Sequence, residues 1–126
     1  PDLSSEQLDD IIDYCLRSGI AGLVAGNTTR SRYGITSISK EKIEEIGNGG
    51  LSGAPLHKKN LELVRYVHAK SEGKLPIIGV GGIMTPQQAK DMLDAGASLV
   101  EIYSGFIYEG PGLIKKILKY LEQGIK

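Results

Sequence analysis

Pro76-Ile77-Ile78-Gly79-Val80-Gly81-Gly82-Ile83 decides the fold when it is read with Leu99-Val100-Glu101-Ile102-Tyr103-Ser104-Gly105 further along the chain. Each is a short apolar run, of strand length, that ends in glycine. Between them Thr85 stands as a helix N-cap, Pro86 takes the first helical position, Gln88 closes a capping box and Gly96 supplies the stop. Strand, helix and strand make a βαβ unit with a right-handed crossover. The two strands therefore run parallel and end on the same side of one sheet. Glycines at those ends leave main-chain N–H groups bare of side chains, so that a phosphate can approach them.

Toward the N-terminus, Ile20-Ala21-Gly22-Leu23-Val24-Ala25 is a third strand of the buried type, ending at Gly26-Asn27-Thr28-Thr29. Ahead of it Pro1-Asp2-Leu3 reads as loop and Ser4 caps a helix, with Gln7 completing the box. Leu8, Ile11, Ile12, Cys15 and Leu16 recur at helical spacing until Gly19. Residues 28–56 form a long connection without strong periodicity, within which 40–46 predict a short helix or ribbon. A segment of that length inside a compact domain is usually functional. Leu61, Val64 and Val67 predict a helix that stops near Gly73. After the last strand, over 98–103, a short turn at 106–109 leads to Pro111 and a final helix with Leu113, Ile114, Ile117, Leu118 and Leu121 on one side.

The predicted class is α/β, with three parallel strands and four main helices. The strands are apolar throughout, as strands covered on both faces are. Three strands cannot close a (β/α)8 TIM barrel, which takes eight, and in such barrels the loops after strands 7 and 8 are the usual phosphate site. Residues 1–126 therefore read as the C-terminal half-barrel of one TIM-barrel domain, entered in the loop after an earlier strand. A complete small open α/β sheet is the alternative. A half-barrel carries unpaired strand edges and bare apolar surface where the opposite layer should lie. The expectation is that the piece self-associates or travels with the missing N-terminal half-barrel.

Composition narrows the function. Fifteen basic and fifteen acidic side chains cancel in the 126 residues, which gives no push toward nucleic acid or an anionic membrane. No apolar run reaches the length of a membrane span and no signal peptide is visible. The lone Cys15 cannot form an internal disulfide, which fits a reducing compartment, and it falls on the apolar side of its helix as a small core residue. The 17 glycines are about twice the ~7% average and sit mostly at strand ends and turns, so they read as positional. His57 and His68 have no metal-like partners and read as surface residues, so no metal site is expected. Arg30 and Arg32 read as part of a solvated loop, with help to an anionic substrate as the sharper alternative. Lys115, Lys116 and Lys119 form the polar side of the last helix.

Asn27-Thr28-Thr29, Gly49-Gly50-Leu51-Ser52-Gly53-Ala54-Pro55-Leu56, Ile78-Gly79-Val80-Gly81-Gly82-Ile83 and Ala95-Gly96-Ala97-Ser98-Leu99-Val100-Glu101-Ile102-Tyr103-Ser104-Gly105, in that order and spacing, resemble dihydroorotate dehydrogenase. They look most like its quinone-dependent, membrane-associated class. Glycine pairs after strands are common in flavin and sugar-phosphate barrels, so each motif alone is weak; together they are specific. The resemblance runs over about residues 1–123 and covers the C-terminal half of the family's barrel.

The resemblance implies FMN at the barrel mouth, with dihydroorotate stacked on its ring and oxidised to orotate in de novo pyrimidine synthesis. It places Gly81 and Gly82 against the FMN phosphate, with Tyr103 and Ser104 closing the other side. Ser52 and Gly53 pass near the flavin. Asn27 and Thr28 hydrogen-bond the pyrimidine ring and carboxylate; an amide offers both the donor and the acceptor that a ring edge with N–H and C=O requires. The family often has threonine before that asparagine; here it is Gly26, so a contact to the cofactor there comes from the backbone. The family's proton-abstracting serine, a lysine that touches flavin and substrate, and the quinone tunnel match nothing in this chain. The resemblance thus implies no catalytic base here, a quinone as acceptor in the full enzyme, and a location on the cytoplasmic side of the membrane, with the piece itself soluble. Two other readings fit the glycine turns: an inosine-monophosphate or sugar-phosphate barrel enzyme, and a non-catalytic nucleotide-binding module.

Overall fold

The computed structural model describes residues 1–33 and 35–124. Three parallel strands, β1 (Leu23–Ala25), β2 (Ile77–Val80) and β3 (Leu99–Glu101), lie in the order β1-β2-β3. The register pairs Val24 with Ile78, Ile78 with Leu99, and Val80 with Glu101. The four expected helices form as α1 (Ser5–Ser18), α3 (His57–Lys70), α4 (Pro86–Asp94) and α6 (Gly112–Gln123). Two short ones accompany them. α2 (Lys40–Ile46) is the helical alternative within the long connection, and α5 (Ser104–Glu109) follows β3 directly. A 3-10 turn at Ala54–Leu56 leads into α3.

The caps explain the helix limits. Ser4 Oγ accepts from Gln7 N at 3.3 Å while Gln7 Oε1 accepts from Ser4 N at 2.9 Å, and Gly19 ends α1 at φ +70°. At α4, Thr85 Oγ1 accepts from Gln88 N at 3.3 Å. The Gln88 side chain accepts from Met84 N at 2.8 Å instead of from Thr85, so this box is shifted by one residue. The strands are shorter than expected. Gly26 and Gly81 leave the extended region at φ +137° and +100° and end β1 and β2, while Leu23 N donates to Pro76 O at 2.9 Å at the other end.

Paired residues of a parallel ladder point to the same face. Leu23, Ala25, Ile77, Gly79 and Val100 face the helices, and Ala25 and Ile77 join Val64, Val67, Met92 and Ala97 in the core. A Cβ on Gly79 would sit 3.3 Å from Ala97 Cβ and 3.4 Å from Met92 Sδ, so the glycine lets the helix layer approach the sheet closely. Val24, Ile78, Val80, Leu99 and Glu101 face the other way. There Val24 stays 53% exposed and Leu99 61%. The strands, apolar enough to be covered on both faces, are thus covered on one face only, leaving the bare apolar surface expected of a half-barrel. No element among the described residues reaches across to supply the opposite layer that eight strands would provide. α1 closes the helix layer through Ile12 and the buried Cys15. Tyr66 Oη and Lys70 Nζ donate to Asp9 at 2.6 Å and 2.8 Å, tying α3 to α1 and, with Lys70 the stronger influence, holding that carboxyl below its usual range. No helix among the described residues is long and apolar enough to cross a membrane.

Candidate functional site

Parallel strands deliver their C-terminal ends to one rim, and a cavity of 310 Å³ opens there. Its lining includes Gly26, Asn27 and Thr28 after β1, Ser52 and Gly53 from the long connection, Gly81 and Gly82 after β2, and Tyr103 and Ser104 after β3. All nine residues singled out from the sequence therefore meet at one place. The turns at Gly82 and Ser104 are neighbours: a Cβ on Gly105 would run into the Ile83 carbonyl, so the two turns are in main-chain contact.

Glycine is required at two of these positions. Gly82 has φ +76°, and a side chain on it would overlap the backbone nitrogen and Cα of His57, where α3 begins. Gly26, at φ +137°, lies against the Val80 carbonyl. Side-chain-free main chain of this kind brings amide donors to a ligand without intervening carbons. The loop over 49–53 closes the rim. Leu51 N donates to Thr29 O at 2.8 Å and Thr29 N returns the bond to Leu51 O at 3.1 Å, an isolated antiparallel bridge. That bridge sets Ser52 and Gly53 beside the β3 end, where Ser104 Oγ donates to Ser52 Oγ at 3.2 Å. The first turn of α5 has no side-chain cap, so its leading amides face no protein acceptor of that kind.

Asn27 is exposed at the rim, and its Oδ1 accepts from Thr28 N at 2.7 Å. That internal bond engages the amide oxygen, and the NH2 group of the same side chain supplies donors. Tyr103 is 71% exposed, so its ring stands clear of the core beside the cavity.

Sequence reasoning missed Glu101, which also lines the cavity. It ends β3 on the open sheet face, in register with Val80. A charged residue within an apolar strand run was the available signal. A carboxylate only accepts, so it suits an N–H-bearing ring edge and not a phosphate. His57 also departs from its surface reading. Its side chain is largely buried, with Nε2 3.5 Å from Asp91 Oδ2, and Nδ1 is buried without a partner. His68 is exposed, as expected. Arg32 is engaged on loop carbonyls, donating to Thr29 O at 3.2 Å, to Gly47 O at 3.4 Å and closely to Gly49 O. With Arg30 it borders a separate polar depression that includes Glu44 and Asn48, away from the cavity. Among the described residues no cluster of three His, Cys, Asp or Glu side chains is arranged to hold a metal ion.

Comparison with known proteins agrees on one family. The family model described as dihydroorotate dehydrogenase matches residues 1–125. A dihydroorotate dehydrogenase (quinone) of Christiangramia forsetii is 52% identical over 126 residues, covering 99% of this chain and 36% of the relative. One of Salinispora arenicola is 46% identical over 115 residues, covering 91% of this chain and 33% of the relative. In three dimensions the chain resembles the DHODH of Eimeria tenella in complex with ferulenol, with a TM-score of 0.86 and 36% identity over 99% of this chain and 34% of that one. The chain thus spans about a third of the length of the curated relatives it matches.

Proposed function

The chain belongs to the dihydroorotate dehydrogenase family, and from that membership we propose that its cavity is the FMN-phosphate cradle and part of the orotate site of an enzyme that oxidises dihydroorotate to orotate in pyrimidine synthesis. The observation that carries this is the meeting of nine residues from four chain segments at the C-terminal rim of the sheet.

The residues fit the group. Gly53, Gly81, Gly82 and Gly105 line the cavity without side chains, and Ser52 and Ser104 add hydroxyls. Among the described residues of the lining there is no lysine or arginine. Oriented neutral amides and hydroxyls can hold a phosphate dianion without a full positive charge. In this reading Gly81, Gly82, Tyr103 and Ser104 surround the phosphate, and Gly26, Ser52 and Gly53 bring main chain toward the flavin. Asn27 and Thr28 bond the pyrimidine ring and its carboxylate. Bound FMN supplies the acceptor for the hydride that leaves the substrate. Ser104 donates to Ser52 within the lining, and Glu101 is read as an acceptor for a ring N–H. The proton acceptor, as the family resemblance implies, falls to residues outside this segment. A quinone takes the electrons onward in the complete enzyme, at the cytoplasmic side of the membrane.

Two measurements test this. In a chain of the relatives' full length that carries this sequence, FMN and orotate both bind and a sugar phosphate does not. Sugar phosphate binding alone overturns the proposal, and FMN without orotate overturns its substrate half. The purified 126-residue chain gives no dihydroorotate oxidation above background; detectable turnover refutes the placing of the proton acceptor elsewhere.

The open sheet face adds an expectation about association. Val24 and Leu99 are exposed side by side with Ile78, and β1 and β3 each have a free edge within the described sheet. Bare edges and apolar faces recruit partners. Sedimentation of the isolated chain should show concentration-dependent association, reduced by Val24→Lys with Leu99→Lys. A monodisperse monomer at every concentration would remove this expectation.

A further inference from the structure

The pair proposed to grip the substrate, Asn27 and Thr28, is a two-residue span anchored at both ends. At one end Gly26 is packed on the Val80 carbonyl at the close of β2. At the other is Thr29, which is only 6% exposed although it lies in a surface loop. Thr29 is where four segments meet. Its main chain makes both bonds of the bridge to Leu51. Its hydroxyl donates to Asp2 Oδ1 at 2.6 Å and accepts from Ser31 N at 3.1 Å and Lys59 Nζ at 3.2 Å. Asp2 completes the knot, accepting from Arg30 N at 2.8 Å through Oδ2 and from Lys59 through Oδ1.

We infer that Asp2, Thr29 and Lys59 form a positioning knot that sets Asn27 and Thr28 in register with Ser52 and Gly53, and so governs affinity for the pyrimidine carboxylate substrate without touching it. The inference rests on the proposed orotate site. The Asp2–Lys59 ion pair does not act through its own energy, because both side chains are substantially exposed and such pairs contribute little. What matters is convergence. The N-terminal loop, the loop after β1 and α3 each place a donor or acceptor on one hydroxyl and one carboxylate, and the Leu51 bridge carries the 49–53 loop along. The Arg30 amide first, then Lys59 and Thr29, hold the Asp2 carboxyl far below its usual range, so it stays ionised at any working pH. The backbone at Asp2 has φ +55°, a conformation asparagine also tolerates. Asp2→Asn therefore removes the charge and one acceptor while keeping the local fold.

The test uses a chain of the relatives' full length. Asp2→Asn, Lys59→Met and Thr29→Val are compared with wild type and with Asn27→Ala for flavin content, orotate dissociation constant, thermal melting, and the separate kcat and KM for dihydroorotate. Wild-type flavin content in Asp2→Asn and Lys59→Met, with orotate binding weaker by about ten-fold and the loss mainly in KM, is the expected result. Thr29→Val should exceed both, since it removes the hydroxyl where the bonds converge. Unchanged orotate affinity in all three, while Asn27→Ala weakens it, overturns the knot and leaves the substrate site standing. Parallel loss of flavin, orotate and melting temperature in Asp2→Asn and Lys59→Met also overturns it, because the role is then one of general stability. If Asn27→Ala leaves orotate affinity unchanged, the substrate site itself is wrong and the knot falls with it.

Discussion

Gly82→Val is expected to weaken flavin binding by about 100-fold or more and to lower stability by about 3 kcal/mol or more. Two effects add. The backbone at Gly82 has φ +76°, where an L-residue loses roughly 1–2 kcal/mol and a β-branched one more. The new Cβ also meets the His57 backbone nitrogen and Cα. These are main-chain atoms at the start of α3 and cannot swing aside as a side-chain tip can. The turn and the helix must separate, which displaces the amides of Gly81 and Gly82 from the cavity. Each charge-assisted bond lost to a phosphate weakens binding by about 1.5–3 kcal/mol, so two reduce flavin affinity by about 100-fold or more. Gly19→Ala separates strain from overlap. Gly19 has φ +70° with nothing within 4 Å of an added Cβ, so alanine there costs about 1 kcal/mol and leaves flavin affinity alone. Thermal melting and flavin titration of both variants give the comparison. Wild-type flavin affinity in Gly82→Val would show that the β2 turn is not the cradle.

Features written in neighbouring residues were legible in the sequence. Ser4 with Gln7, and Gly19 after Leu16, mark a helix through bonds that span at most a turn. The meeting of Gly26, Gly82 and Ser104 was legible for a different reason. Parallel strands joined by helices must finish on one side, so topology alone brings their following loops together. Features that depend on register or on long-range contact were not legible. Leu99-Val100-Glu101 is apolar at its first two positions and does not say which face the helices cover; the pairing of Val80 with Glu101 decides that and turns the carboxylate to the rim. The approach of His57 to Asp91 joins residues on two different helices. The bonds of Asp2 to Thr29 and Lys59 span 27 and 57 positions, and neither partner carries a local motif.

The two faces of the sheet should respond very unequally to the loss of side-chain volume. Ile77 is fully buried on the helix face, among Val64, Val67 and Met92. Ile77→Ala removes its packing and leaves a cavity between sheet and helices, a loss of about 3–4 kcal/mol. In a domain of this size that lowers the melting temperature by roughly 10 °C or more. Val24 lies on the adjoining strand but on the other face, 53% exposed, so Val24→Ala in this chain changes stability by no more than about 0.5 kcal/mol. The same substitution reads out the closure of a barrel. In a chain of the relatives' full length, strands from the opposite wall would cover Val24, and its truncation would then cost about 2 kcal/mol. Denaturant unfolding of Ile77→Ala and Val24→Ala in both lengths gives four values. A small Val24 effect in the long chain would mean that its sheet face stays open there too. A small Ile77 effect in either length would mean that the helix layer is not the core.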